Sequence, residues 1–169
     1  MNYFSSDFTL GILGGGQLGK MLLQVTSKLS IKTNILDPNK DSPCKNLCNE
    51  FTNGNLMDFN SVYEFGKKCD IVTFEIEHVN IEALEKLEAD GITVYPRPKT
   101  LKIIQDKSRQ KQFFIDNKIP TANFWYFKSF EDFQKSSFKD EISFHCVWKK
   151  TKFGYDGYGV EIIKSSEEI

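Results

Sequence analysis

The chain has 169 residues, enough for one domain of ordinary size or for one domain and part of another. Hydrophobic residues make up 40% and charged residues 27%, the balance of a globular chain rather than a disordered one. A formal net charge of -1 gives no electrostatic case for a nucleic-acid partner, and no apolar run approaches the length of a membrane span.

The first residues, MNYFSSDF, lack the basic and apolar regions of a signal peptide, so a cytoplasmic protein is expected. Residues 8–13 read as a strand. Residues 17–30 follow as a helix whose Leu18, Met21, Leu22, Val25 and Leu29 form a one-sided apolar stripe. KTNILD (32–37) is a second strand closed by Asp37-Pro38, and EFTNG (50–54) a short third. Asp58 is placed to cap a helix through Lys68, and DIVTFE (70–75) is the clearest buried strand. Asn80 is placed to cap the next helix, and ITVYP (92–96) is a further short strand. Strands alternating with helices predict a mostly parallel sheet flanked by helices.

The pattern changes after Pro96-Arg97-Pro98. One long polar helix is expected over 99–117, a helix near 129–136, and a strand at HCVWKK (145–150). A Gly-rich turn then leads into YGVEIIK, which is hairpin chemistry rather than βαβ. Two domains are therefore expected, 1–97 and 98–169, the second cut off part-way. Cys44 and Cys48 lie four apart, Cys69 and Cys146 stand alone, and His78 and His145 are not spaced as a ligand pair. Free thiols are expected rather than a metal centre or disulfides.

Three stretches carry chemistry. GGGQLG contains Gly14-x-Gly16-x-x-Gly19 between strand and helix, which lets the backbone and a helix N-terminus approach a phosphate. Asp37 stands where a dinucleotide site wants its ribose acid. On these residues a dinucleotide, another phosphorylated ligand and a plain tight turn all remain open. TFEIEHV puts Glu75 and Glu77 at the end of the clearest strand, where alternation would point both carboxylates the same way. Acids there suit ribose hydroxyls or an amine, or are simply a solvated strand end. VWKKTKFGYDGYGV runs a lysine-bearing strand into three glycines within six residues, either a phosphate-facing loop or a hairpin turn with surface lysines.

GILGGGQLGKM, DIVTFEIEHV, IIQDKSRQKQFF with IPTA, and VWKKTKFGYDGYG occur in that order. Together they resemble the N-terminal part of the 5-(carboxyamino)imidazole ribonucleotide synthase family, the ATPase subunit of phosphoribosylaminoimidazole carboxylase in the ATP-grasp superfamily. The resemblance implies an α/β, Rossmann-like pre-ATP-grasp domain followed by the start of an α+β ATP-grasp region. It implies a carbon–nitrogen ligase of purine biosynthesis that carboxylates aminoimidazole ribonucleotide with bicarbonate, ATP and Mg²⁺, and a homodimer at full length. Gly15, Gly16, Gln17, Leu18, Glu75, Tyr155 and Asp156 would then meet the ribonucleotide, and Lys107, Lys149 and Gly157 the ATP. Metal ligands are expected beyond residue 169, and the isolated chain is expected to be inactive. Lys107 departs from the arginine often found there, and Tyr158 from a Lys or Arg. Another ATP-grasp ribonucleotide enzyme and an NAD-binding module are the competing readings. Asp37→Ala is expected to spare ribonucleotide binding, and Glu75→Ala to weaken it.

Overall fold

The structure, a computed structural model, describes residues 7–136, 144–152, 154 and 157–168. The chain forms two compact units, Met1–Lys102 and Ile103–Ile169.

In the first unit, β1 (Thr9–Leu13), β2 (Lys32–Asp37), β3 (Glu50–Asn53), β4 (Ile71–Phe74) and β5 (Thr93–Tyr95) make one sheet in the order β3-β2-β1-β4-β5. Every pairing is parallel. Helices α1 (Gln17–Lys28), α2 (Phe59–Gly66) and α3 (Ile81–Ala89) connect β1 to β2, β3 to β4 and β4 to β5, β2 reaches β3 without a helix, and α4 (Pro98–Ile104) follows β5. Both sheet faces are buried, as parallel sheets require. Leu13, Leu36 and Val72 pack with Val62, Phe65, Leu84 and Leu87 of α2 and α3. Their strand neighbours Ile12 and Ile35 face the other way, toward Leu23 of α1 and Cys44. Each of these side chains removes apolar surface worth roughly 1.5–3 kcal/mol from water. Asp58 and Asn80 cap α2 and α3 as expected, accepting from the N–H of Ser61 and of Ala83.

Two expectations are corrected. The stripe on α1 is mostly not the buried face: Leu18, Met21, Val25 and Leu29 are exposed and only Leu22 is half-buried against the core, while Gly19, Leu23 and Thr26 face the sheet. Close approach favours the face with a glycine, whose missing side chain lets α1 lie near the Gly14 carbonyl and the Cys44 thiol. The long helix over 99–117 is two helices. α4 ends at Ile104, and α5 (Lys107–Asp116) starts afresh behind Asp106, whose carboxylate accepts from the N–H groups of Ser108 and Arg109.

The second unit also holds α6 (Phe130–Lys135), capped by Ser129, and an antiparallel pair, β6 (Cys146–Lys149) and β7 (Val160–Ile163). Its centre is aromatic. Phe133 lies edge-on to both Phe127 and Trp148, with ring centroids 5.2 and 5.3 Å away. Among the described residues no helix is long and apolar enough to cross a membrane.

Candidate functional site

β1 and β4 are neighbours in the sheet, and the winding direction reverses between them. The crevice beyond their C-terminal ends is where open α/β sheets take ligands. Gly14–Gly16 leaves β1 on one side of it, and Glu75 follows β4 on the other.

Every glycine N–H at the start of this loop already has an acceptor. Gly14 donates to Leu36 O at 2.9 Å. Gly15 donates to Asp37 Oδ2 at 2.6 Å, and Gly16 to Glu75 Oε1 at 3.0 Å. The first helical bond of α1 runs from Lys20 N–H to Gly16 O at 3.0 Å, and the helix has no side-chain cap. The amides of Gln17, Leu18 and Gly19 thus have no acceptor within the helix, at its positive end.

The glycine spacing has a local cause. A Cβ on Gly14 would lie 2.7 Å from Glu75 Oε1, and one on Gly16 3.0 Å from the same oxygen. Gly14 also has φ +101°, a conformation that side chains disfavour. The fingerprint glycines enclose a carboxylate of the chain itself. Glu75 is half-buried and its Oε1 is fixed, which suits it to accept a further hydrogen bond from a ligand hydroxyl or amine beside the anion-favouring helix end. Alternation does not reach Glu77, because β4 ends at Phe74.

Asp37 is not poised for a ribose. It is 9% exposed; one oxygen holds Gly15 N–H, and the other accepts from Asn39 N–H at 2.7 Å. The expectation that Asp37→Ala would spare ribonucleotide binding loses its basis, since this carboxylate shapes the loop. Sequence reading also missed Ser42 and Cys44. The Ser42 hydroxyl donates to Gly15 O at 2.6 Å, and Cys44 N–H donates to the same oxygen at 3.2 Å. These contacts span 27 and 29 positions, and no local pattern announces them. Gly15 is buried, whereas Gln17 and Leu18 are exposed.

The residues expected to meet ATP lie in the second unit. Lys149 ends β6, is exposed, and pairs in register with Val160. Lys107 opens α5; its N–H donates to Thr151 O at 2.8 Å, and its ammonium donates to Gly154 O at 3.1 Å. Gly157 is exposed with φ +88°. Tyr155 and Asp156 lie outside the described residues. Burial works against the charge of Asp106. The Ser108 hydroxyl, the N–H groups of Arg109 and Ser108, and Lys152 outweigh it and hold this carboxyl below its ordinary value.

The family model for the ribonucleotide synthetase preATP-grasp domain matches residues 8–105, the whole sheet and the loop–Glu75 crevice. The chain belongs to this family. The ribonucleotide synthetase relatives include a chloroplastic phosphoribosylaminoimidazole carboxylase from Vigna aconitifolia, 37% identical, with 96% of this chain and 28% of the relative covered. A carboxyaminoimidazole ribonucleotide synthase from Aspergillus clavatus, solved in complex with ATP, superposes with a TM-score of 0.88 at 30% identity. It covers 99% of this chain and 43% of that one. A second structure from Aspergillus clavatus holds ADP and 5-aminoimidazole ribonucleotide, with a TM-score of 0.81, 28% identity and coverage of 95% and 42%. The chain thus spans less than half the length of these relatives.

Proposed function

We propose that this protein serves the ATP-dependent carboxylation of aminoimidazole ribonucleotide in purine biosynthesis. In that reaction ATP and bicarbonate give carboxyphosphate and ADP. The amine nitrogen then bonds to the carboxyl carbon and gives up one proton as that carbon's bond to the phosphate oxygen breaks, and phosphate leaves as the proton's acceptor. The observation that carries the reading is Glu75, held on Gly16 N–H at the β1–β4 crevice. It supports an acceptor for the ribose or the amine, beside first-turn amides of Gln17 and Leu18 suited to the ribosyl phosphate. With Asp37 sealed inward, the ribose acid of a nicotinamide site is missing.

Lys107, Lys149 and Gly157 are proposed for ATP, and Tyr155 and Asp156 for the ribonucleotide. Lys107 keeps the charge of an arginine but not its planar fork, so it would meet phosphate as a point charge. Bicarbonate, Mg²⁺, a homodimer at full length and a cytoplasmic setting belong to the same proposal. No three His, Cys, Asp or Glu side chains among the described residues gather to hold a metal ion.

A thermal-shift titration with aminoimidazole ribonucleotide, NAD and ATP in parallel tests this. The ribonucleotide is expected to raise the midpoint with concentration, and Glu75→Ala to need at least about tenfold more ligand for the same rise. A rise with NAD and none with the ribonucleotide would overturn the proposal.

A further inference from the structure

The segment from Asp37 to Cys44 grips the glycine loop chiefly at Gly15, with the Cys44 thiol also donating to Gly16 O at 3.7 Å. Asp37 holds Gly15 N–H at 2.6 Å, while the Ser42 hydroxyl and Cys44 N–H hold Gly15 C=O at 2.6 and 3.2 Å. The gripping groups are themselves fixed. Asp37 accepts from Asn39 N–H at 2.7 Å, Ser42 N–H donates to Asn39 O at 3.0 Å, and both side chains are buried. A Cβ on Gly15 would run into the Ser42 oxygen, so serine and glycine fit as a pair.

This grip has a consequence one bond away. Gly15 C=O and Gly16 N–H belong to one planar trans peptide and point in opposite directions. Donors that fix the carbonyl therefore fix the N–H, and that N–H meets Glu75 Oε1 at 3.0 Å. Asp37 fixes the preceding peptide plane in the same way. We propose that Ser42 and Asp37 are positioning residues that aim Glu75 through the two peptide planes on either side of the Gly15 α-carbon. The acid at the place of a dinucleotide ribose acid here orients the loop. The inference rests on Glu75 meeting the ribonucleotide, as proposed above.

A double-mutant cycle on the chain tests it, with the dissociation constant for aminoimidazole ribonucleotide as the readout. Ser42→Ala and Asp37→Asn are each expected to weaken binding about fivefold, the worth of one net hydrogen bond. In a Glu75→Ala background neither is expected to matter, because there is no carboxylate left to aim. A role confined to loop stability would give the same loss in both backgrounds, which would overturn the positioning inference alone. Glu75→Ala without effect on affinity would overturn the reading of Glu75, and the aiming role with it.

Hydrogen exchange of the Gly16 amide gives a ligand-free check. Ser42→Ala is expected to speed it as Glu75→Ala does, and an unchanged rate would sink the inference. Should Asp37→Asn fail to fold, Ser42→Ala carries the test, since it removes one oxygen and leaves the Cys44 N–H on the carbonyl.

Discussion

Gly15 has no room for a side chain, because the Ser42 oxygen, an Ile35 methyl and the Asp37 Cβ surround the place a Cβ would take. Gly15→Ala is expected to cost about 1–3 kcal/mol of stability, the range for overpacking a tight interior site. Urea unfolding measures this; an unshifted midpoint would mean that Ser42 yields freely and does not grip the loop. The same corner shows what was legible at this scale. GGGQLG and Glu75 are visible as a glycine loop and an acid at a strand end. Ser42 and Cys44 are not, because a serine 27 residues from its acceptor looks like any loop serine. Asp37 is visible but points to the wrong partner: its place at the end of β2 suits a ribose, and only the fold shows its oxygens held by Gly15 and Asn39.

At the scale of elements, the five strands and the caps Asp58 and Asn80 follow from the sequence because their signals are local. Helix α1 shows where locality fails. Its apolar stripe has true helical spacing, yet the buried face is the one with Gly19, Leu23 and Thr26. Periodicity counts apolar side chains, and it gives no credit to a glycine chosen for close approach. The two faces should therefore respond unequally to substitution. Leu23→Ala is expected to cost about 2–5 kcal/mol, and Met21→Gln less than about 0.5 kcal/mol. Urea unfolding of the two variants decides it, and equal losses would return the stripe to the core. The split between α4 and α5 was legible in principle, since Asp106 before Lys107-Ser108 is a cap signal.

At the scale of the whole molecule, each unit is held by chemistry of its own kind. The first is built from aliphatic side chains on both faces of a parallel sheet. The second relies on rings: Phe127, Phe133 and Trp148, with Phe130 tilted against Phe133. Phe133 is 2% exposed and touches all three, so its ring is the centre of a small core. Small cores have little stability to lose. Phe133→Ala removes the ring contacts and leaves a cavity, at an expected cost of about 3–5 kcal/mol. Both tryptophans, Trp125 and Trp148, lie in the second unit, so their fluorescence reports on it. The variant is expected to show red-shifted emission already in buffer, as Trp148 loses its edge-on partner and gains water. Emission and a fluorescence-detected urea midpoint equal to those of the unsubstituted chain would mean that Trp148 and Ile163 hold β6 and β7 in place without the ring.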